Sequence, residues 1–297
     1  MAVIDIQDIT RDYGNGRGIF HVSFAIQEGE VFGFLGPNGA GKTTTIRHLM
    51  GFLNAASGSC SIQGMDCYRE AAKIQKTLGY IPGEINLMEE MSGWQFLKFM
   101  ANYRGMPDMG RCEELLKRFE MDPKGKIKRM SKGMKQKIGI VAAFMHDPQV
   151  LILDEPTSGL DPLMQTAFVE LILEEKKRGK SILMSSHIFE EVEKTCDRVG
   201  IIRKGHMVSI DDVANLKQTR KKLYHITFAN DLDVIAFMDK GLPCRMLSPL
   251  QVEVPIQKDV MKLIDALQGL AVCDLDVAEQ TLEDIFMQFY GGDEHAK

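Results

Sequence analysis

The sequence lacks the marks of several large protein classes. No window approaches the ~20 consecutive apolar residues that a membrane-spanning helix requires. With 36 Lys and Arg against 41 Asp and Glu, the net charge is −5. A general nucleic-acid binder shows a basic excess, so no nucleic-acid partner is expected. The six cysteines, Cys60, Cys67, Cys112, Cys196, Cys244 and Cys273, form no C-x-x-C pair and have no histidine at ligand spacing. Zinc is therefore not expected, and the thiols read as scattered, free, and buried or half-buried. The single tryptophan is Trp94. The lysine-rich stretch from Lys124 to Lys137 carries no interleaved aromatic residues, so it reads as solvated charge rather than a nucleic-acid patch. Residues 1–8 alternate like a strand and include Asp5 and Asp8, unlike a secretory signal. The remaining composition, 44 % hydrophobic and 26 % charged, is that of an ordinary globular protein, and most of the 19 methionines are expected as core filler.

Against this background one string stands out. Gly36-Pro37-Asn38-Gly39-Ala40-Gly41-Lys42-Thr43 fits G-x-x-x-x-G-K-[ST]. It follows an apolar run, Val31 to Leu35, that reads as a buried strand, and it precedes Thr44 to Met50, which reads as a helix. In that setting glycines let backbone N–H groups turn toward phosphates, and the helix start adds partial positive charge. Gly36, Pro37, Asn38, Gly39, Ala40, Gly41, Lys42, Thr43 and Thr44 are the expected nucleotide-binding residues. Lys42 would reach the β- and γ-phosphates, and the Thr43 hydroxyl would take a position on Mg²⁺.

A second string, Val150-Leu151-Ile152-Leu153-Asp154-Glu155-Pro156, is an apolar run ending in two acids. It reads as a central parallel strand with carboxylates at its C-terminal edge. Asp154 suits the Mg²⁺ shell, and Glu155, one residue further along, suits a general base for an attacking water.

With these and four further strings in order, the chain resembles the nucleotide-binding subunit of an ABC transporter over roughly residues 3–216. Tyr13 lies where the family stacks a ring on adenine. Residues 36–43 and 150–155 match the Walker A and Walker B motifs. Met130-Ser131-Lys132-Gly133-Met134 is similar to the signature motif, Ser158-Gly159-Leu160-Asp161 matches the D-loop, and His187 matches the switch histidine. The resemblance implies an α/β P-loop NTPase core with an antiparallel β subdomain and a helical subdomain at about residues 84–147. It also implies ATP and Mg²⁺ as ligands and a dimer, with itself or a second ABC ATPase subunit, around two ATP molecules. Ser131 and Gly133 would close on the γ-phosphate held by the other subunit, Asp161 would be a further nucleotide-binding residue, and His187 would orient the attacking water. A separate integral-membrane permease of the ABC-2 type would hold the chain at the cytoplasmic face of the membrane. The expected function is export of a drug, antibiotic, peptide or lipid-like substrate. A soluble ABC ATPase acting on ribosomes or DNA is the alternative. It would bring two cassettes or long heptad arms, which the chain does not carry.

Two departures stand out. Where the family commonly has Gln after Tyr-x-Pro, Tyr80-Ile81-Pro82 is followed by Gly83 and Glu84, and Glu84 is a candidate substitute for that Gln. In the signature, Lys132 and Met134 replace glycine and glutamine. Residues 84–100 are expected to line the permease groove, with Leu87 and Met88 as exposed anchors. Beyond the polar joint at Gln218 to Lys222, strands at 223–228 and 251–254 and helices near 231–240 and 258–270 predict a small α+β accessory domain over 218–297. It ends in Leu282-Glu283-Asp284-Ile285-Phe286, a segment similar to one in exporter-type subunits.

Overall fold

The structure is a computed structural model that describes residues 2–219, 222–256 and 260–279. The segment from Thr281 to Tyr290 lies outside the described residues. The elements run β1 (Ala2–Asp12), β2 (Gly18–Gln27), β3 (Val31–Leu35), α1 (Lys42–Leu49), β4 (Ser57–Ile62), β5 (Met65–Asp66), α2 (Ala71–Thr77), β6 (Gly79–Ile81), α3 (Gly93–Arg104), α4 (Gly110–Arg118) and α5 (Lys132–Phe144). They continue through β7 (Val150–Asp154), α6 (Pro162–Lys177), β8 (Ser181–Ser186), α7 (Phe189–Thr195), β9 (Arg198–Arg203), β10 (His206–Asp212) and α8 (Val213–Thr219). The last are β11 (Lys222–Phe228), α9 (Asp231–Met238), β12 (Arg245–Ser248), β13 (Gln251–Ile256), α10 (Val260–Leu267) and β14 (Val272–Glu279). The chain divides into two compact units, the first ending at Val213 and the second beginning at Ala214.

The first unit is built on a six-stranded sheet of order β10-β9-β3-β8-β7-β6. Its middle strands are parallel and buried at every residue, which is why they read as unbroken apolar runs. Gly33 in β3 is required by packing: a Cβ there would lie 2.6 Å from Val192 of α7. A second sheet, β2-β1-β4-β5, is antiparallel. It has strands of 11 and 10 residues, interrupted by register shifts that let long strands bend. Ile4, Ile6, Phe24 and Ile26 of this sheet share one core with Phe32, Ile46 and Leu49, so the sheet is packed over the P-loop helix.

Helices α3 to α5 form the helical block. Ser92 and Gln95 form a capping box at the start of α3, worth about 1 kcal/mol. The helix stops at Gly105, whose φ of 67° suits a residue without Cβ. Ile85 packs against Gly139 of α5, where a Cβ would come within 2.4 Å of its Cδ1. The basic stretch is pinned to the preceding loop: Lys128 lies 3.2 Å from Glu90, and Lys135 lies 2.8 Å from Glu89.

At the opposite end of β7 and β8 a buried ion network replaces apolar packing. Glu175 is 1 % exposed and takes Arg111 at 2.5 Å, Lys180 at 2.9 Å and Arg178 at 3.0 Å. Three cations around it leave no uncompensated buried charge on the carboxylate.

In the second unit, β12-β13-β11-β14 form an antiparallel sheet, and after α8 the element order is strand, helix, two strands, helix, strand. Tyr224, Ile226, Phe228, Val252 and Val254 share one core with Val234, Phe237 and Leu263 of the helices. Across the strands, His225 Nε2 lies 3.1 Å from Glu253 Oε2. The cysteine expectation fails at one position. Cys273 is exposed, because β14 pairs only with β11 among the described residues and so presents an open edge. The methionines divide as well: Met50, Met145, Met164 and Met184 are buried, whereas Met88, Met134, Met246 and Met261 are exposed.

Candidate nucleotide-binding site

Sheet topology assembles the site. β8 lies between β3 and β7, with Leu35 opposite Ser186 and Asp154 opposite Ser185. The loop after β3, the two acids after β7 and the histidine after β8 therefore emerge side by side at the C-terminal edge, where parallel sheets bind ligands.

The loop after β3 runs into α1 through Gly41, whose φ is 117° and whose Cβ would lie 2.7 Å from Ile19. Only glycine meets both demands. No side chain caps α1, so its first N–H groups remain available to an anion. Gly36 is equally constrained, since a Cβ there would lie 2.4 Å from the Ile202 carbonyl oxygen. Pro37, Asn38 and Gly39 are exposed, Ala40 is buried, and Thr43 is exposed with Thr44 half-buried behind it. Lys42 is 5 % exposed, and its Nζ donates to the Gly36 carbonyl at 2.6 Å.

Pro37, Asn38, Gly39, Gly41, Lys42, Thr43 and Thr44 line a cleft of ≈ 470 Å³ together with Tyr13 and Glu155. Tyr13 is 52 % exposed, with Arg11 at 5.5 Å over its ring, so the ring can take a planar base. Arg17 and Lys204 also line the cleft, and sequence reasoning had passed over both. Each follows from a turn. Arg17 ends the Gly14-Asn15-Gly16 turn, and Lys204 holds a φ of 48° between β9 and β10. Two cations on the rim suit a polyanionic ligand.

Glu155 joins the three loops. Its Oε1 is 3.4 Å from Lys42 Nζ and its Oε2 is 3.4 Å from His187 Nδ1. The backbone of Glu155 has a φ of 47°, a left-handed conformation that costs energy in a non-glycine residue. It is held there by Ser185, whose carbonyl and hydroxyl oxygens accept from Glu155 N–H at 3.2 and 3.1 Å. The same hydroxyl donates to Asp154 Oδ1. Ser185 thus positions both acids, a role the sequence analysis did not assign. The signal was a hydroxyl at the end of an otherwise apolar strand.

Asp154 is fully buried, and its Oδ2 has no hydrogen-bond partner among the described residues. A buried carboxylate oxygen left open in this way fits a cation, and carboxylate and hydroxyl oxygens are the donors Mg²⁺ prefers. Gly83 lies against this atom, and a Cβ there would be 3.0 Å from Oδ2. Glu84 is exposed. Burial, followed by the charge of Asp154, pushes the Tyr80 hydroxyl up to about 12, so it stays protonated. His187 is half exposed. It is bracketed by Ser186, whose hydroxyl donates to Glu191 Oε2 at 3.1 Å and accepts from Ile188 N–H at 2.9 Å. Burial raises the Glu191 carboxyl above its usual range.

Of the expected site residues, Gly36, Ala40, Asp154, His187, Ser131, Gly133 and Asp161 do not line this cleft, and the last three belong to the signature and the D-loop. Ser131 caps α5, its oxygen accepting from Met134 N–H at 3.2 Å, and Asp161 caps α6, accepting from Met164 N–H at 3.0 Å. Gly133 lies against Gly159, where a Cβ would meet the carbonyl oxygen at 2.6 Å. Lys132 Nζ donates to Ser158 Oγ at 2.9 Å, so the signature and the D-loop form one surface of their own.

Comparisons with known proteins agree with this geometry. The ABC transporter family pattern matches residues 19–158. Over 98 % of its length, this chain is 32 % identical to the ABC transporter ATP-binding protein YhcH of Bacillus subtilis, covering 96 % of that protein. It is 30 % identical to the bacitracin transport ATP-binding protein BcrA of Bacillus licheniformis, with 98 % of both chains covered. A solved structure of an ATP-binding subunit of an ABC transporter is 32 % identical, with a TM-score of 0.66 over 73 % of this chain and 92 % of that one. The dimeric structure of the bacterial cassette MJ0796 shares the fold at 20 % identity, with a TM-score of 0.64 over 71 % of this chain and 98 % of that one. An ordered P-loop, paired acids and histidine on adjacent strand ends, together with relatives matched along nearly the whole chain, place this protein in the family of ABC transporter ATP-binding subunits.

Proposed function

We propose that this ATP-hydrolysing subunit works as a head-to-tail dimer, with itself or a second ABC ATPase subunit, around two ATP molecules. The observation that carries the reading is the Glu155 carboxylate, set between Lys42 and His187 beside the P-loop. Lys42 and the N–H groups of α1 bind the β- and γ-phosphates, and Tyr13 takes the adenine. Glu155 accepts the proton of the attacking water, and His187 orients that water against the γ-phosphate. Thr43 and Asp154 would hold Mg²⁺, which when bound offsets the charge of the phosphates. Ser131 and Gly133 do not line their own P-loop cleft. They form a second anion surface at the start of α5, suited to the γ-phosphate held by the other subunit.

The chain acts with an integral-membrane permease at the cytoplasmic face of the membrane. No helix among the described residues is long and apolar enough to cross a membrane. The likeness to a bacitracin transport protein supports export of a drug, antibiotic, peptide or lipid-like substrate. The permease docks between residues 84 and 100, where Met88 is exposed and Leu87 half-buried; Phe96 is turned into the core.

Glu155→Gln tests the catalytic assignment. ATP should still bind, turnover should fall ~10²-fold or more, and ATP-loaded protein should accumulate as dimers on a sizing column. Ordinary turnover in this variant would place the base elsewhere.

A further inference from the structure

Cys60 and Cys67, separated by six residues, are brought together by the β4–β5 hairpin. Ser61 pairs with Asp66 and Ile62 with Met65, and Cys67 N–H donates to the Cys60 carbonyl at 3.0 Å. Carried one residue past the end of β5, this register and the Cys67 N–H bond set the two cysteines opposite each other. Opposed residues in an antiparallel pair have Cα atoms about 4.5–5.5 Å apart, within the roughly 4.4–6.8 Å that a disulfide spans. As opposed residues of one hairpin, their side chains stand on the same face of it. Cys60 donates to the His48 carbonyl, 3.6 Å away, near the end of α1.

The two thiols differ in access. Cys60 is half-buried and lines a surface cleft of ≈ 440 Å³ with Asn54, Gly58, Asp66 and Arg69, whereas Cys67 is fully buried. We propose that Cys60 and Cys67 are a reversible oxidation site, with Cys60 the attacking thiol, Cys67 the resolving thiol and a peroxide the oxidant. The hydrogen bond from Cys67 lowers the Cys60 thiol below its ordinary value, and giving that bond raises Cys67. Cys60 therefore ionises first, on the side the peroxide reaches.

The Cys60 thiolate attacks one peroxide oxygen, the O–O bond breaks, and the departing hydroxide takes up a proton as water. The sulfur, oxidised by two electrons, becomes a sulfenic acid. The Cys67 sulfur then displaces its hydroxyl, and the Cys67 proton leaves with that hydroxyl as a second water. Two thiols and one peroxide give one disulfide and two waters. The Cys60 S–H is then no longer present to donate to His48, so the change is felt at the C-terminal end of the helix whose N-terminus forms the P-loop. Cytosolic disulfides of this kind are transient and sensing rather than structural.

The test is graded hydrogen peroxide on the full chain, followed by maleimide blocking and peptide mapping. A Cys60–Cys67 link, two hydrogens lighter and reversed by dithiothreitol, should form at doses that leave Cys112 and Cys196 reduced. In guanidinium-unfolded protein that preference should vanish. In Cys67→Ser, Cys60 should stop at a sulfenic acid that dimedone traps. A link no more frequent in folded than in unfolded wild-type protein, or Cys60 passing to sulfinic acid without one, overturns the proposal, and the wild-type comparison needs no variant to fold.

Discussion

Replacing Ser185 by alanine removes one oxygen on which both acids of the site depend. The hydroxyl donates to Asp154 Oδ1 and accepts from Glu155 N–H at 3.1 Å. Hydrogen bonds to charged groups contribute about 1.5–3 kcal/mol. Asp154 is fully buried and its other oxygen already lacks a partner, so neither water nor a neighbouring side chain stands ready to replace the lost donor. Glu155 N–H keeps the Ser185 carbonyl as an acceptor, so that side of the loss is smaller. We therefore expect Ser185→Ala to cost about 1.5–3 kcal/mol, which lowers Tm by about 3–12 °C in a unit of this size. ATP binding on the P-loop should persist while kcat falls, because both acids lose part of their positioning. The assay is a double-mutant cycle with Asp154→Ala, read by thermal unfolding and by single-turnover hydrolysis. Coupling of about 1 kcal/mol or more is expected for a direct contact to a buried charge. Additive effects, or a Tm within about 1 °C of wild type, would refute the reasoning.

Three further outcomes follow from the same geometry. Gly83→Ala puts a methyl group 3.0 Å from Asp154 Oδ2, so half-maximal turnover should need more Mg²⁺; an unchanged Mg²⁺ titration would mean that this oxygen does not face the metal. Burial raises the Glu191 carboxyl, so its contribution to stability is fully present below its unfolded value and is lost as pH rises through the folded one. Glu191→Gln should then melt above wild type at pH 8, with the gap closing on acidification, and a gap independent of pH would count against the assignment. Leu87→Ser with Met88→Ser should leave folding and basal ATPase activity intact and reduce co-purification with the permease, since neither side chain belongs to the buried core; retained binding would move the docking surface elsewhere.

How much of this was legible depends on whether a residue's neighbours are close in the chain. β3, β7 and β8 are buried on both faces, so each appears in the sequence as an apolar run, and the residues that follow each run announce the P-loop, the acids and the histidine. Their convergence needs only the rule that parallel strands present their C-terminal ends together. The Ser185 contacts were not legible in the same way. They depend on β7 and β8 pairing in one register, Asp154 against Ser185, and a shift of one residue would turn the hydroxyl to the other face. Arg17 and Lys204 reach the cleft only because two separate turns deliver them there. The cysteines make the point most directly. Counted along the chain they are six isolated thiols, yet Cys60 and Cys67 stand symmetrically about the Gln63-Gly64 turn, where φ is 52° and 77°. Two residues equidistant from a tight turn must face each other if both flanks are strands. A pairwise reading about each glycine turn would have found what a search for C-x-x-C could not. The same geometry explains why Cys273 fails to fit the expectation of burial, since among the described residues β14 has one neighbour, and an edge strand offers its side chains no second layer to enter.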